Sequence, residues 1–354
     1  MHSDEAMIAL RRKSQEKSLS RRDFMRVLTL ASTAGPGLVA AGLSGFVLTR
    51  SQRAEAAELI GEGIGKLRKV KLGTRMGNMM VTRVCMAQDW SYDLFAPGVE
   101  AGLNFIHKAG YWRDIVPEAI KNLPRESYYT DVTVDNTPLH SDDYDRAYNQ
   151  VVSSLAKNGL QYYDIFQAHF GWKGTEAFNK GDNASYKAFL ALKKQGLVKY
   201  FGVSQHPYSK TVGPDGTVSY SEKIDQYAEM IQAEIDSGLI DAMQVWYSYG
   251  YPKEAEDIFA KASKAGIGMT AMKIYAHGHD KMRGDAARMN ELKADGKVGR
   301  ALIRQVLTTK RDDGKPIFHT CVTGVYNLGL FEENVGGASD KIARADGFDG
   351  LDAV

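Results

Sequence analysis

Three histidines, a tyrosine and a lysine stand where short apolar runs end. His107 closes the run Asn104-Phe105-Ile106, His169 closes Ile165-Phe166-Gln167-Ala168, and His206 follows Val203-Ser204-Gln205. Tyr111 lies four residues beyond His107, and Lys273 ends Met269-Thr270-Ala271-Met272. Cys85, Thr133, Ser204, Gln205, Gln244 and Gly324 occupy equivalent run ends. Imidazole gains and loses a proton near neutral pH, and a phenol yields its proton more easily beside a cation that favours the phenolate. Such groups can exchange a proton with an oxygen whose charge changes during reaction. Three imidazoles on neighbouring strand ends can instead converge on Zn²⁺ and activate water for hydrolysis. Against the metal, no Asp or Glu ligand and no His-x-His motif ends the first run.

The elements that must position these residues follow from the hydrophobic period, which switches repeatedly between strand and helix. Candidate strands fall at 81–87, 104–108, 128–134, 162–169, 199–204, 242–247, 268–273 and 317–324. Amphipathic stretches at 141–158, 184–195, 221–238, 253–266 and 288–309 separate them. Ser141-Asp142-Asp143 is an N-cap signal, and Gly102, Gly159, Gly196, Gly238 and Gly266 stand where helices should stop. The strands are short and apolar, as parallel strands covered on both faces must be. Eight such units predict an α/β fold, a (β/α)₈ TIM barrel, with chemistry at the C-terminal strand ends. Segments 66–72 and 79–84 predict a short hairpin ahead of the first barrel strand, and 211–218 a small hairpin after the fifth. An open doubly wound sheet would carry a glycine fingerprint after its first strand, and here that position reads Ala87-Gln88-Asp89-Trp90. Aromatic residues cluster after the fourth strand (Phe170, Trp172, Phe178) and after the sixth (Trp246, Tyr247, Tyr249, Tyr251), either as a substrate wall or as loop packing.

Composition narrows the class. The 354 residues are 44% hydrophobic and 25% charged, which excludes a disordered or coiled-coil chain. Cys85 and Cys321, on the first and eighth predicted strands, are too few for an iron–sulfur cluster and are expected as free thiols. The net charge of +2 comes from 45 Lys and Arg against 43 Asp and Glu. Nine and five of these lie in residues 1–56, so the body holds 36 against 38 and is slightly acidic. A nucleic-acid role, which needs a basic face on the folded domain, is not supported.

The first 56 residues read as an address rather than as fold. Ser20-Arg21-Arg22-Asp23-Phe24-Met25-Arg26 precedes an uncharged apolar run over 27–48, followed by Ala54-Glu55-Ala56-Ala57. This resembles a bacterial twin-arginine signal, which implies recognition by the Tat export machinery and a periplasmic or otherwise exported protein. Gly35-Pro36-Gly37 makes the run a poor permanent helix, so cleavage near Ala56 is expected, with membrane attachment only through an uncleaved leader. The domain boundaries are then 1–56 for the leader and 57–354 for the barrel.

Five segments in order resemble the aldo-keto reductase family. They are Gly102-Leu103-Asn104-Phe105-Ile106-His107-Lys108-Ala109, Leu160-Gln161-Tyr162-Tyr163-Asp164-Ile165-Phe166-Gln167-Ala168-His169, Gly196-Leu197-Val198-Lys199-Tyr200-Phe201-Gly202-Val203-Ser204, Gly266-Ile267-Gly268-Met269-Thr270-Ala271-Met272-Lys273 and Glu332-Glu333-Asn334. The resemblance implies a barrel that transfers hydride between a nicotinamide cofactor, NADP or NAD, and a small aldehyde or ketone. It places His169 at the family's histidine, Tyr111 at its tyrosine, His107 at its aspartate and Thr133 at its lysine. The expected catalytic group is therefore Tyr111 and His169 with His107 modifying them. Ser204, Gln205, Gln244 and Lys273 are expected on the cofactor, with Glu333 and Asn334 at the adenine. Met272 replaces the aromatic residue under the nicotinamide, and Leu330 replaces the arginine that grips a 2′-phosphate. The alternatives are a ligand-binding barrel that has lost reductase activity and a His-ligated metal-dependent hydrolase.

Overall fold

The computed structural model describes residues 59–87, 90, 94–107, 118–136, 143–170, 180–205, 208–212, 218–222, 224–247, 253–275, 298–325 and 328–345. The leader, Tyr111, His206 and the aromatic positions 172, 178, 249 and 251 lie outside the described residues. No described helix is long and apolar enough to cross a membrane.

Eight parallel strands close on themselves. In chain order they are β3 (Val84–Ala87), β4 (Phe105–His107), β5 (Tyr129–Asn136), β6 (Tyr163–Phe170), β7 (Val198–Gln205), β10 (Ala242–Trp246), β11 (Gly268–Met272) and β12 (Thr320–Val322). Each pairs with the next, and β12 returns to β3, so the predicted barrel is present. The first expected strand is split: β2 (Met80–Thr82) pairs antiparallel with β1 (Lys69–Lys71) before the chain bends at Arg83 into β3. Arg83 is buried and donates to the Leu307 carbonyl at 2.5 Å. The Asn104 side chain accepts from the Thr82 amide at 2.9 Å, holding the bend. The second hairpin, β8 (Tyr208–Val212) with β9 (Val218–Glu222), follows β7 and is longer than expected.

The helices are α1 (Phe95–Glu100), α2 (Glu118–Lys121), α3 (Tyr144–Asn158), α4 (Ala184–Lys194), α5 (Ile224–Ser237), α6 (Lys253–Lys264), α7 (Val298–Thr308), α8 (Leu328–Gly337) and α9 (Asp340–Ala345). The N-cap of α3 is Asp143, whose carboxylate accepts from the Arg146 amide, and its left-handed C-cap is Gly159.

Strand parity divides the core in two. One cluster lies inside the barrel, where Leu72, Met76, Met79 and Val81 of the hairpin pack on Cys85, Phe105, Ile165 and Ala242. The hairpin is thus a plug for the N-terminal end. The other cluster joins the outward strand residues, among them Val132, Phe166, Val203, Met243 and Cys321, to the helices. In register Cys85 faces Val322, while Cys321 faces Val84, so the two cysteines belong to opposite faces and remain free.

The plug is seated by its turn. Thr74 and Arg75 amides donate to the Gly266 carbonyl at 2.9 and 3.1 Å, and the Arg75 guanidinium donates to the Ala265, Gly238 and Ile240 carbonyls. Gly73 has φ +68, and a Cβ there would lie 2.6 Å from both the Gly266 oxygen and the Gly268 nitrogen.

At the other end, α5 holds the tips of β7 and β10 through polar contacts. The Gln205 amide donates to Glu234, and the Tyr227 hydroxyl donates to the Gln205 carbonyl while accepting from the Trp246 amide. Gln205 and Glu234 are both fully buried, and burial pushes the Glu234 carboxyl up to about 8 despite the lowering effect of the Gln205 hydrogen bond.

Two outcomes follow for stability. Gly73→Ala combines left-handed strain with a backbone clash and should cost about 2–4 kcal/mol in urea unfolding. Gly159→Ala, at φ +64 with nothing within 4 Å of the added Cβ, should cost about 1 kcal/mol; equal losses at the two sites would show that the plug's turn is not seated as described. For Glu234, folded and unfolded chains both hold the proton below about pH 4.5, and the unfolded chain then loses it first. Stability from this group therefore falls as pH rises, until the folded carboxyl titrates near 8. His319, driven down from 6.5 to about 4 by desolvation, acts oppositely and weakens the fold only as pH falls through that range. Glu234→Gln should flatten the fall in urea midpoint between pH 6.5 and about 8, and parallel wild-type and variant curves would refute it.

Candidate active site

Period-two alternation carries the inner face from the plug cluster to the C-terminal rim. Phe105 leads to His107, Ile165 to Gln167 and His169, and Ala242 to Gln244. Ser204 joins the same face because it pairs in register with Gln244. Three of the expected site residues, His169, Ser204 and Gln244, continue one lateral row across β6, β7 and β10, since Ala168 pairs with Val203 and Ser204 with Gln244.

His107 belongs to a row two inward steps away, because Asp131 beside it pairs with Ile165, four residues before His169. Ala87 pairs with His107, and the β4–β5 register, Phe105 with Tyr129 and Ile106 with Thr130, sets Asp131 beside it. His107 Nδ1 and Asp131 Oδ2 are 2.6 Å apart, with the side chains 2% and 1% exposed. A buried carboxyl without such a partner would be costly. Asp131 was not among the residues expected from sequence. Its signal was there: it shares parity with Thr133 and is flanked by Thr130 and Val132 within the strand. The strand register needed to pair it with His107 was not.

Thr133, which stands where the resemblance implies a lysine, donates its hydroxyl to Gln167 Oε1 at 3.1 Å. No lysine occupies an inward position on the described strands; Lys199 instead binds Asp164 at 3.0 Å beside Arg125.

Ser204 Oγ and Gln244 Oε1 are buried and have no hydrogen-bond partner among the described residues. The other end of the Gln244 amide donates to Met272 Sδ at 2.9 Å. A hydroxyl and an amide oxygen left unsatisfied on adjacent strands match a ligand carboxamide, which offers a carbonyl to the first and an N–H to the second.

The remaining expected residues are placed differently. Gln205 follows Ser204 and so faces the opposite way, onto Glu234 of α5 instead of into the barrel. Lys273 lies just past β11 with φ 56, exposed, and its ammonium sits 4.5 Å from the Trp246 ring centroid. Asn334 is buried and both ends of its amide are engaged, accepting from the Tyr275 hydroxyl and donating to the Gly324 carbonyl at 2.9 Å. Glu333 accepts from the Gly299 amide in the first turn of α7 at 3.1 Å. Tyr247 is loop packing: its ring lies 4.6 Å from Phe318, its hydroxyl donates to Glu256 at 2.5 Å, and burial raises its pKa far above the ordinary phenol value. Among the described residues no three His, Cys, Asp or Glu side chains are grouped to hold a metal ion.

Comparison with known proteins agrees with this architecture. The aldo/keto reductase family matches residues 75–297. Among solved structures, an aldo-keto reductase from Bacillus halodurans in its holo form superposes with a TM-score of 0.54 at 15% identity, covering 81% of this chain and 94% of its own. A Pseudomonas aeruginosa protein classed as an aldo-keto reductase gives 0.54 at 17% identity, covering 77% and 96%. One from Brucella melitensis gives 0.51 at 17% identity, covering 79% and 99%. No curated protein matches the chain. With 223 consecutive positions matched and the closed barrel in place, this chain belongs to the aldo/keto reductase family.

Proposed function

We propose that the protein is a nicotinamide-dependent oxidoreductase that interconverts an aldehyde or ketone and its alcohol. The observation that carries this reading is the pair of unsatisfied buried groups, Ser204 Oγ and Gln244 Oε1, side by side in a barrel of this family. Reduced nicotinamide, when bound, supplies hydride to the carbonyl carbon. Ser204 and Gln244 hold the carboxamide and so set which ring face looks into the barrel. The Met272 thioether lies against the same seat, through Gln244. His169, next to Ser204 in the row, and His107 on β4 flank the substrate oxygen, with Tyr111 as the phenol that joins them. Leu330 in place of an arginine removes a bidentate contact to a 2′-phosphate, so NADP and NAD are both accommodated.

Titration of the purified barrel with NADPH and NADH, followed by nucleotide fluorescence, tests the reading. Binding is expected, weakened about tenfold by Ser204→Ala or Gln244→Ala, and an added aldehyde should oxidise the nucleotide. Absence of affinity for either nucleotide would overturn it, and stoichiometric zinc would favour the hydrolase. Binding without turnover of any aldehyde or ketone would favour the ligand-binding alternative, for which Thr133 in the lysine position speaks.

We further propose that the leader sends the folded protein through the twin-arginine pathway to the periplasm. Because reduced nucleotide is not regenerated there, the cofactor would be loaded before export and held tightly. Replacing Arg21 and Arg22 together by Lys should retain the protein in the cytoplasmic fraction; unchanged export would refute the assignment.

A further inference from the structure

We infer that Asp131 positions His107 as the group that exchanges the proton with the substrate oxygen, a step that rests on the oxidoreductase reading above. The pair is built into the barrel wall. Both residues lie on inward positions of adjacent strands, 2.6 Å apart and almost wholly shielded from solvent. A carboxylate only accepts, so the proton of the pair is carried by Nδ1 and the ring orientation is set. That leaves Nε2 as the nitrogen able to meet a ligand. Ala87 is the other lateral neighbour of His107.

Among the described residues, the rest of the site lacks the usual means of activating a phenol. The position beside which an ammonium would stand holds Thr133, whose hydroxyl is committed to Gln167. No lysine replaces it on an inward position of the described strands. The Asp131 carboxyl, 2.6 Å from Nδ1, fixes the His107 ring so that Nε2 is the nitrogen placed to exchange a proton with the substrate oxygen.

The step balances as follows. Reduced nicotinamide held by Ser204 and Gln244 would supply hydride, with its electron pair, to the carbonyl carbon. The carbonyl π pair moves to oxygen, and the oxygen bonds to the proton on His107 Nε2. The N–H pair stays on Nε2, leaving a neutral ring whose Nδ1–H still donates to Asp131. Oxidised nucleotide and alcohol depart, and solvent returns the proton to Nε2. In the oxidation direction the neutral ring takes the alcohol proton as base. Asp131 acts through His107 and is a positioning residue.

Two measurements on the purified barrel test this. The first is independent of turnover: ¹⁵N and ¹H NMR of histidine-labelled wild type should show a downfield Nδ1–H resonance that disappears in His107→Asn and in Asp131→Asn. A wild-type spectrum without it, or one unaltered by Asp131→Asn, would overturn the dyad. The second is single-turnover reduction of an aldehyde with nucleotide affinity measured alongside. Asp131→Asn should lower the rate about 100-fold while the aldehyde KM and nucleotide Kd stay within about twofold, and His107→Asn should lose about 10²–10⁴-fold. Tyr111→Phe should lose less than either. Reduction unaffected by Asp131→Asn, or a larger loss from Tyr111→Phe than from His107→Asn, would overturn the proposal while leaving the oxidoreductase reading intact. Absence of nucleotide binding in wild type rejects that reading and the proton-transfer role together, and the resonance still decides whether Asp131 fixes the ring. Should Asp131→Asn fail to fold, the wild-type resonance assigned with His107→Asn carries the first test, and Asp131→Glu carries the second.

Discussion

Closure of the sheet, with β12 returning to β3, is the constraint from which the rest of the molecule follows. A closed parallel barrel has no free edge, so every inward side chain must fit a shared interior and every outward one must meet a helix. At the N-terminal end the hairpin fills that interior with Leu72, Met76, Met79 and Val81. At the C-terminal end the interior turns polar, with His107, Asp131, Thr133, Gln167, Ser204 and Gln244 all buried. One architecture thus provides an apolar stopper and a polar mouth on the same strands.

Burying so many polar groups is tolerable only if they are paired, and the pattern of pairing separates structure from function. Thr133 meets Gln167, His107 meets Asp131, and Gln205 meets Glu234 behind the strands. Asn334 ties the end of β12 to Tyr275, and Glu333 ties α8 to the first turn of α7. Like Gln205 Oε1 and Glu234 Oε2, the Ser204 Oγ and Gln244 Oε1 atoms find no partner in the described fold, and these last two face the barrel interior from adjacent strands. Unsatisfied groups gathered on neighbouring strands at the functional end of a barrel are a better pointer to a ligand than fully bonded ones.

Much of this was legible in the order of residues. The eight apolar runs lie close to the observed strands, because strands covered on both faces need continuous apolar sequence. Asp143 and Gly159 bound α3 as their capping chemistry required. The split at Arg83 was not legible: an arginine between apolar runs gives no hint that it will be buried against the Leu307 carbonyl, 224 positions away. Likewise Gln205 and Ser204 are neighbours in sequence and looked like one binding element, yet alternation sends them to opposite faces.

Sequence alone determined the class of fold, the positions of strand ends and the residue types gathered there, since these depend on local period and composition. Tertiary structure decided which of those residues meet. The pairing of His107 with Asp131 depends on the register of two strands, and the isolation of Ser204 and Gln244 depends on what every other polar group has already bound. Register and satisfaction are properties of the closed barrel, set by contacts between segments far apart in the chain, and no local pattern encodes them.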